Sequence, residues 1–177
     1  MELILPNEKY KESFIESIEE FKTERPKDDD YAGMDISNMD NLEKNFSRYV
    51  KKVKSQTEGK NLKPGYVPNT TFWIVDDGRY LGTINIRHEL SENLLKVGGH
   101  IGYHVRPPER RRGYGKQALK MALPYAKKLG IEKVLLTCDS TNIGSRKIIE
   151  SNGGILENEV PGKNGESSKL RFWIDLK

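Results

Sequence analysis

The stretch VRPPERRRGYGK, residues 105–116, constrains the fold more than any other part of this sequence. It follows an alternating apolar run, and its two adjacent prolines carry no backbone N–H, so a strand that reaches them must end there. Two glycines, Gly113 and Gly115, come next, and an apolar stripe at helical spacing begins at Tyr114. The stretch therefore predicts a strand that ends at the prolines and a turn that leads directly into a helix.

This turn combines main-chain donors with positive charge. The first N–H groups of a helix have no internal partner, and the helix dipole favours an anion at that end. Glycines allow a ligand to come close to the main chain, and guanidinium groups of Arg110, Arg111 and Arg112 can bind phosphate oxygens. An isolated basic run is also compatible with a solvated turn. The position of this basic run between a predicted strand and a predicted helix favours a pyrophosphate site.

The rest of the chain alternates between short strand and helix patterns. Asp77-Gly78 separates two apolar runs and is the preferred chemistry of a two-residue hairpin turn. The segment ERPKDDDYAGMD, residues 24–35, is predicted to be too charged and broken to pack. The order indicates one mixed α/β domain over residues 1–177. The predicted strands are 2–5, 70–76, 79–87, 100–106, 133–139, 155–160 and 168–175, and the predicted helices are 7–21, 40–55, 114–129 and 142–151.

Composition narrows the function classes only slightly. The formal net charge is +4 with both signs interspersed, which does not by itself indicate a nucleic-acid or membrane partner. No run reaches the roughly 18 apolar residues of a membrane helix, and the N-terminus lacks the pattern of an export signal. The single cysteine cannot form an internal disulfide, so we expect a reducing, cytoplasmic location.

The spacing Arg110-x-x-Gly113-x-Gly115 resembles motif A of the GNAT superfamily of acetyl-CoA-dependent N-acetyltransferases, usually written Gln/Arg-x-x-Gly-x-Gly/Ala. The phosphate-loop and dinucleotide glycine patterns are absent from the sequence. The resemblance extends over residues 70–160 and includes IGYHV, KVLLTCD and the pair Asn142 and Ser145. It implies a GNAT-type fold, in which a mixed, mostly antiparallel sheet of six to seven strands is flanked by about four helices.

The resemblance also implies acetyl-CoA as the co-substrate and assigns residues to it. Main-chain groups of the basic stretch would bind the pyrophosphate, the pantetheine arm would pair with the strand edge near Tyr103–Val105, and Asn142 and Ser145 would lie beside the arm. A strand amide would polarise the thioester carbonyl. The expected cofactor-binding residues are Val105, Arg110, Arg111, Arg112, Gly113, Tyr114, Gly115, Lys116, Asn142 and Ser145.

The acid and base of such a reaction are less evident. The family often has a glutamate where His100 stands, so His100 is the first candidate for the base and His88 the second. Each histidine is also compatible with a purely local hydrogen-bonding role, and we expect none in catalysis for His104. The usual tyrosine acid is replaced by Ile149. Tyr103, another donor or solvent would protonate the thiolate, or the thiolate would leave unaided.

Several alternatives remain open from the sequence. Cys138 is expected to be a buried core residue rather than an acyl-carrying nucleophile. The acceptor would be a small-molecule or peptide amine, and acidic residues at positions 28–30 and 35 would either steer a cationic amine or form a solvated loop. A CoA-binding sensor without turnover is the second reading. No nucleic-acid, membrane or metal site is expected, and a homodimer is compatible with the family.

Overall fold

The computed structural model describes residues 1–28, 30–31, 34–37, 39–162 and 167–177. Strands form two sheets and a short ribbon, and helices cover both faces. The strands are β1 (Glu2–Ile4), β2 (Asp30–Tyr31), β3 (Met34–Asp35), β4 (Asn69–Asp76), β5 (Arg79–Arg87), β6 (Ile101–Val105), β7 (Lys133–Asp139), β8 (Ile155–Val160) and β9 (Lys169–Asp175). The helices are α1 (Lys11–Glu24), α2 (Met39–Lys44), α3 (Phe46–Ser55), α4 (Tyr114–Lys128) and α5 (Ile143–Glu150).

The first sheet has the antiparallel order β1-β4-β5-β6, and the second has the antiparallel order β7-β9-β8. The β4–β5 hairpin turns at Asp77 and Gly78, whose φ values of 45° and 72° are the left-handed pair of a tight hairpin turn. The dipeptide that predicted this hairpin therefore forms it. The mixed α/β architecture confirms the predicted fold class.

Each face of the first sheet carries its own hydrophobic cluster. Ile84, Ile86 and Ile101 pack with Ala118 and Leu119 of α4 in one cluster. The other face packs against α1 and α3, where Trp73 stacks on Phe14 at a ring distance of 4.9 Å. Side chains alternate along each strand and therefore divide between these two clusters. We call the face of the sheet that packs against α1 and α3 the α1 face.

Two sequence-based predictions about the N-terminal half were wrong. The helix predicted over residues 40–55 is two helices, α2 and α3, separated at Asn45. The charged segment 24–35 does pack, because it forms the β2–β3 ribbon and buries Tyr31, which is only 1% exposed. The Tyr31 hydroxyl donates to Ser17 Oγ over 2.8 Å, so its polar end is satisfied inside the core.

Among the described residues, no helix has the length and apolar character required to cross a membrane.

Candidate functional site

β6 and β7 meet at one point and leave their remaining facing edges unpaired. The His100 N–H donates to Leu135 O over 2.7 Å, and Leu135 N–H donates to His100 Nδ1 over 2.9 Å. Among the described strands, β6 is paired only with β5, and β7 only with β9. We call the opening between residues 101–105 and 136–139 the fork. A fork between strands offers main-chain groups to a ligand that lies along one of them.

In a β-strand, the main-chain N–H and C=O groups of alternate residues face opposite neighbours, and this alternation decides which groups of β6 face the fork. Arg87 N–H donates to His100 O, and Arg106 N–H donates to Leu81 O, so within β6 the even-numbered Gly102 and His104 direct their main-chain groups toward β5. Ile101, Tyr103 and Val105 therefore direct theirs toward the fork. Arg110 Nε confirms this alternation, since it donates to Val105 O over 3.1 Å. The open edge is the one that the sequence assigned to the pantetheine arm.

The basic turn, residues 110–116, connects the end of β6 to α4. Arg111 and Gly113 have left-handed φ values of 63° and 87°, which is costly for a side chain and which glycine adopts freely. The first main-chain hydrogen bond of α4 is donated by Gln117 N–H to Gly113 O over 3.1 Å. The N–H groups of Tyr114, Gly115 and Lys116 precede that bond and are available to an anion.

The three arginines of this turn differ in their partners. Arg110 pairs with Glu24 over 2.6 Å, and Arg112 pairs with Glu109 over 2.5 Å. The main-chain N–H of Arg110 also has a partner, since it donates to Pro107 O over 3.3 Å. Arg111 makes no ion pair with any residue that the structure describes. Of the three guanidinium groups proposed from the sequence to hold phosphate, Arg111 is therefore the one not already engaged.

Glycine is required at the two positions of the turn for different structural reasons. A methyl group built on Gly113 would meet no atom within 4 Å, so its left-handed φ is what calls for glycine. A methyl group on Gly115 would lie 2.8 Å from Ile148 Cδ1, so Gly115 lets α4 pack against α5. The sequence had assigned both glycines to close ligand approach.

Across the fork, α5 brings polar groups to Tyr103. The Asn142 side chain caps this helix, because its Oδ1 accepts from Ser145 N–H over 2.9 Å. The cap fixes Ser145, whose Oγ lies 2.7 Å from the Tyr103 hydroxyl. Burial raises the pKa of Tyr103 to about 12, against the opposing effect of the Ser145 hydrogen bond. Tyr103 is therefore neutral over the physiological pH range.

His100 has a structural position at the closed end of the fork. It is 8% exposed, and its Nδ1 accepts the Leu135 N–H, so the neutral ring carries its proton on Nε2. Burial, followed by the nearby Arg87 guanidinium, lowers the pKa of His100 to about 4. With one nitrogen accepting and the other protonated, this ring has no free lone pair with which to take a proton from an amine.

His88 and His104 lie in different surroundings. His88 Nε2 lies 2.9 Å from Thr70 Oγ1, and burial lowers its pKa. His104 packs edge-on against Tyr31 at a ring distance of 4.4 Å, and its buried Nε2 has no hydrogen-bond partner among the described residues. Burial lowers the pKa of His104 to about 4. Neither histidine forms a hydrogen bond to Tyr103 or Ser145 in the described structure.

Two residues singled out from the sequence lie in the core beside the fork. Ile149 is fully buried in the cluster under α4, so the position of the missing tyrosine is filled by packing. Cys138 is also buried, as predicted, and burial raises the pKa of its thiol. A neutral, buried thiol is a poor nucleophile.

The family is decided by a direct match. The sequence model described as "Acetyltransferase (GNAT) domain" matches residues 22–155, which is more than half of the chain. This chain belongs to the GNAT acetyltransferase family. The GNAT resemblance that was seen in the basic turn is therefore confirmed. A search of curated proteins gives no match.

Solved GNAT structures share the fold at low sequence identity. One is a putative ribosomal-protein-serine acetyltransferase from Vibrio cholerae, with 16% identity, coverage of 98% of this chain and 92% of that chain, and a TM-score of 0.64. Another is the microcin C7 self-immunity acetyltransferase MccE in complex with acetyl-CoA and AMP, with 15% identity, coverage of 98% and 91%, and a TM-score of 0.70. A variant of the spermidine N-acetyltransferase SpeG from Vibrio cholerae has 14% identity, coverage of 99% and 95%, and a TM-score of 0.65.

Sequence reasoning missed two arginines of this GNAT domain. Arg106 is 1% exposed and binds Glu20 of α1 through Nε over 2.7 Å and through Nη2 over 2.5 Å. Arg87 is half-buried and donates through Nη1 to Gly98 O and Gly99 O over 3.1 and 3.0 Å. The sequence offered only positional signals for their roles: Arg106 stands directly before two prolines, and Arg87 stands at the end of a hairpin strand.

Proposed function

We propose that this GNAT domain transfers the acetyl group of acetyl-CoA to a primary amine by direct attack in a ternary complex. The observation that carries the proposal is the continuity of the open edge of β6 with the basic turn. The edge of β6 leads into the basic turn within a few residues. A single extended ligand would therefore place its thioester on that edge and its diphosphate at the N-terminus of α4. The family assignment makes acetyl-CoA that ligand.

The residues present fit such a co-substrate. Main-chain N–H groups at positions 113–116 would hold the pyrophosphate, with Arg111 and Lys116 adding positive charge at its edge. The outward-facing main-chain groups of Tyr103 and the N–H of Val105 would pair with the amides of the arm, since Val105 O already accepts from Arg110. Asn142 would add its remaining Nδ2 donor, since only its Oδ1 is used in capping α5.

Acetyl-CoA supplies a thioester carbon that an amine attacks: the C–N bond forms, the C–S bond breaks, the amine loses a proton and the leaving thiolate gains one. We assign that proton to Tyr103, whose phenol is neutral and is held by Ser145 of α5. The geometry offers no base as well defined as this acid. Of the two proposed histidines, His88 is the candidate base, because it keeps one ring nitrogen outside the Thr70 contact, whereas both nitrogens of His100 are committed.

A sensor that binds CoA without turnover is the second candidate. The fully buried Ile149 favours it, because the side chain cannot give a proton where the family frequently has a tyrosine. The presence of Tyr103 in the fork favours the enzyme, since it offers a proton from the neighbouring strand.

Calorimetric titration with acetyl-CoA, followed by an assay of thiol release with a panel of primary amines, tests both candidates. Binding together with amine-dependent thiol release is expected for the enzyme. Binding without thiol release for any amine would support the sensor, and failure to bind acetyl-CoA would overturn both.

A further inference from the structure

The α1 face of the first sheet changes from apolar to polar along its strands. Trp73 and Thr83 pair across β4 and β5 and lie under α1, whereas Thr71 and Asn85 occupy the next pair toward the closed end of the fork. Asn85 Nδ2 donates to Asn69 Oδ1 over 2.6 Å and to Thr71 Oγ1 over 2.8 Å. A partly buried polar surface of this kind beside a reaction site is suited to orient a polar substrate.

Gly102 leaves this polar surface open at β6. Asn85 pairs with Gly102, so a side chain at position 102 would point to the same face. A methyl group built there would lie 3.6 Å from Arg87 Nη2 and 3.8 Å from Nη1. The guanidinium of Arg87 therefore lies over Gly102, directly beside the strand whose opposite edge faces the fork.

Arg87 is a cation held in place without a compensating anion. Its Nη1 donates to two carbonyl oxygens, Gly98 O and Gly99 O, which fixes the plane of the guanidinium. Within the described part of the chain, no carboxylate lies within ion-pair distance of it. Burial lowers the pKa of Arg87, the direction expected for a charge that has lost water without gaining an anion.

Other arginines with buried side chains do have carboxylate partners in this protein. Arg106 pairs with Glu20 over 2.5 Å, and Arg171 pairs with Glu157 over 3.1 Å. A partly desolvated guanidinium without an anion costs free energy, and a planar oxyanion that binds it in a bidentate manner recovers that cost. The unpaired Arg87 therefore points to an anion that arrives with a ligand.

We propose that Arg87 binds a carboxylate carried by the acceptor, so that the preferred substrates are primary amines that also bear a carboxylate. This inference rests on the proposed acetyl transfer. The carboxylate would lie against the Arg87 guanidinium on the α1 face, and the amine would point through the fork toward the thioester. Both the α-carboxylate of a free amino acid and a side-chain carboxylate near a peptide amine have this chemistry.

Matched acceptors with and without the carboxylate test the proposal. Each kcat/KM is referred to the fraction of neutral amine, because removal of the carboxylate also lowers the pKa of a nearby amine. Free amino acids are compared with their primary amides, and C-terminally amidated peptides that contain Asp or Glu at the second residue are compared with their Asn or Gln forms. Thiol release from acetyl-CoA gives kcat/KM for each. In one series or the other, we expect the carboxylate form to be better by about 10- to 100-fold, the usual size of a charge-assisted pair. The series that shows the preference identifies the source.

Variants at the two ends of β5 test whether Arg87 causes the preference for a carboxylate. Arg87→Gln is expected to lose most of the carboxylate preference with little change for the amides, and Arg87→Lys to lose part of it. Arg79→Gln is the matched control, because Arg79 is exposed, pairs with Glu16 over 3.0 Å and lies at the other end of the strand. If Arg87→Gln fails to fold, the wild-type comparison of matched acceptors still decides the question.

Equal kcat/KM for both members of every pair would overturn the inference, as would turnover restricted to amines without a carboxylate or an equal loss for both members in Arg87→Gln. In each of these cases acetyl-CoA still binds and the proposed function stands. Failure to bind acetyl-CoA would instead overturn the proposed function, and this inference with it.

Discussion

The Tyr103 hydroxyl lies 2.7 Å from Ser145 Oγ and 3.3 Å from Ser145 O, and so joins β6 to the first turn of α5 across the fork. This contact holds a neutral phenol beside the strand edge at which the thioester would lie. It also links β6 to α5 at the level where β6 and β7 are no longer paired. The pair therefore combines a structural contact with the proton donor that we propose for the leaving thiolate.

Tyr103→Phe removes this donor and should lower kcat by about 10- to 100-fold, at the low end of general acid–base contributions because a thiolate is a fair leaving group. The KM for acetyl-CoA should change little, since the main-chain pairing remains. Ser145→Ala should cause a smaller loss, because the phenol stays but is less well oriented. Tyr125→Phe on the exposed side of α4 is the control. Unchanged kcat in Tyr103→Phe would exclude Tyr103 as the acid.

The pH profile provides a second check on Tyr103. Because its pKa is about 12, the phenol stays protonated through pH 10. Wild-type kcat should therefore show no decline caused by this group between pH 7 and pH 10. A high-pH decline in that range that disappears in Tyr103→Phe would contradict the assignment.

Gly113→Asp should abolish acetyl-CoA binding, because it places a negative charge and a strained left-handed side chain at the N-terminus of α4. Gly130→Asp is the matched control. Gly130 follows the other end of the same helix, has a φ of 83° and, like Gly113, would meet no atom within 4 Å if a methyl group were added. Gly130→Asp should lose at least as much stability as Gly113→Asp, because its carboxylate lies at the negative end of the helix dipole. Only Gly113→Asp should lose binding in calorimetry. Loss of binding in both would attribute the effect to strain in the helix.

Local signals in the sequence were sufficient for the hairpin and for the start of α4. Asp77-Gly78 and the prolines before Gly113 act through the backbone conformation of a few residues, which is why they could be interpreted without the fold. The closed end of the fork depends on His100 meeting Leu135, a pairing that no local pattern encodes. Tyr31 was missed for a related reason, because its burial follows from its contact with Ser17, which lies on α1.

The partners of the basic residues were equally hidden. Three adjacent arginines indicated a phosphate site, but Arg110 reaches back to Glu24 of α1, and only the folded chain shows this ion pair. Sequence reasoning can count charges near a motif, but it cannot say which of them are already neutralised by a distant helix. Arg106 shows the same limit at a buried position.

His100 should make stability depend on pH. Its pKa is about 4 in the folded protein and ordinarily 6.5, so the unfolded chain binds more protons between these values. The stabilisation is complete above pH 6.5 and is lost as the pH falls toward 4. His100→Gln should cost about 1–3 kcal/mol at pH 7, because Leu135 N–H loses its partner. The difference from wild type should shrink by about 2 kcal/mol at pH 5. Urea unfolding at both pH values measures this, and a constant difference would show that folding does not lower the pKa of His100.

Arg106 anchors α1 to the strand end that leads into the basic turn. Its guanidinium is bound by Glu20, and Nη1 also donates to Tyr80 O over 3.1 Å. Arg106→Met should lower the free energy of unfolding by about 3 kcal/mol, since Glu20 is left partly buried without its cation. Arg79 is the control, because it is exposed and pairs with Glu16, which Arg106 Nη2 also contacts over 3.5 Å. Arg79→Met should cost less than about 1 kcal/mol.

A double-mutant cycle separates the ion pair from the loss of packing. If the pair is the cause, Glu20→Gln introduced into Arg106→Met should cost far less than it does in the wild type, because the carboxylate has already lost its partner. Urea unfolding of the four proteins gives the coupling energy, which should exceed about 1 kcal/mol. Additive losses would mean that Arg106 stabilises the protein through its contacts with Glu16, Ser13 O and Tyr80 O and through its aliphatic stem, and not through Glu20.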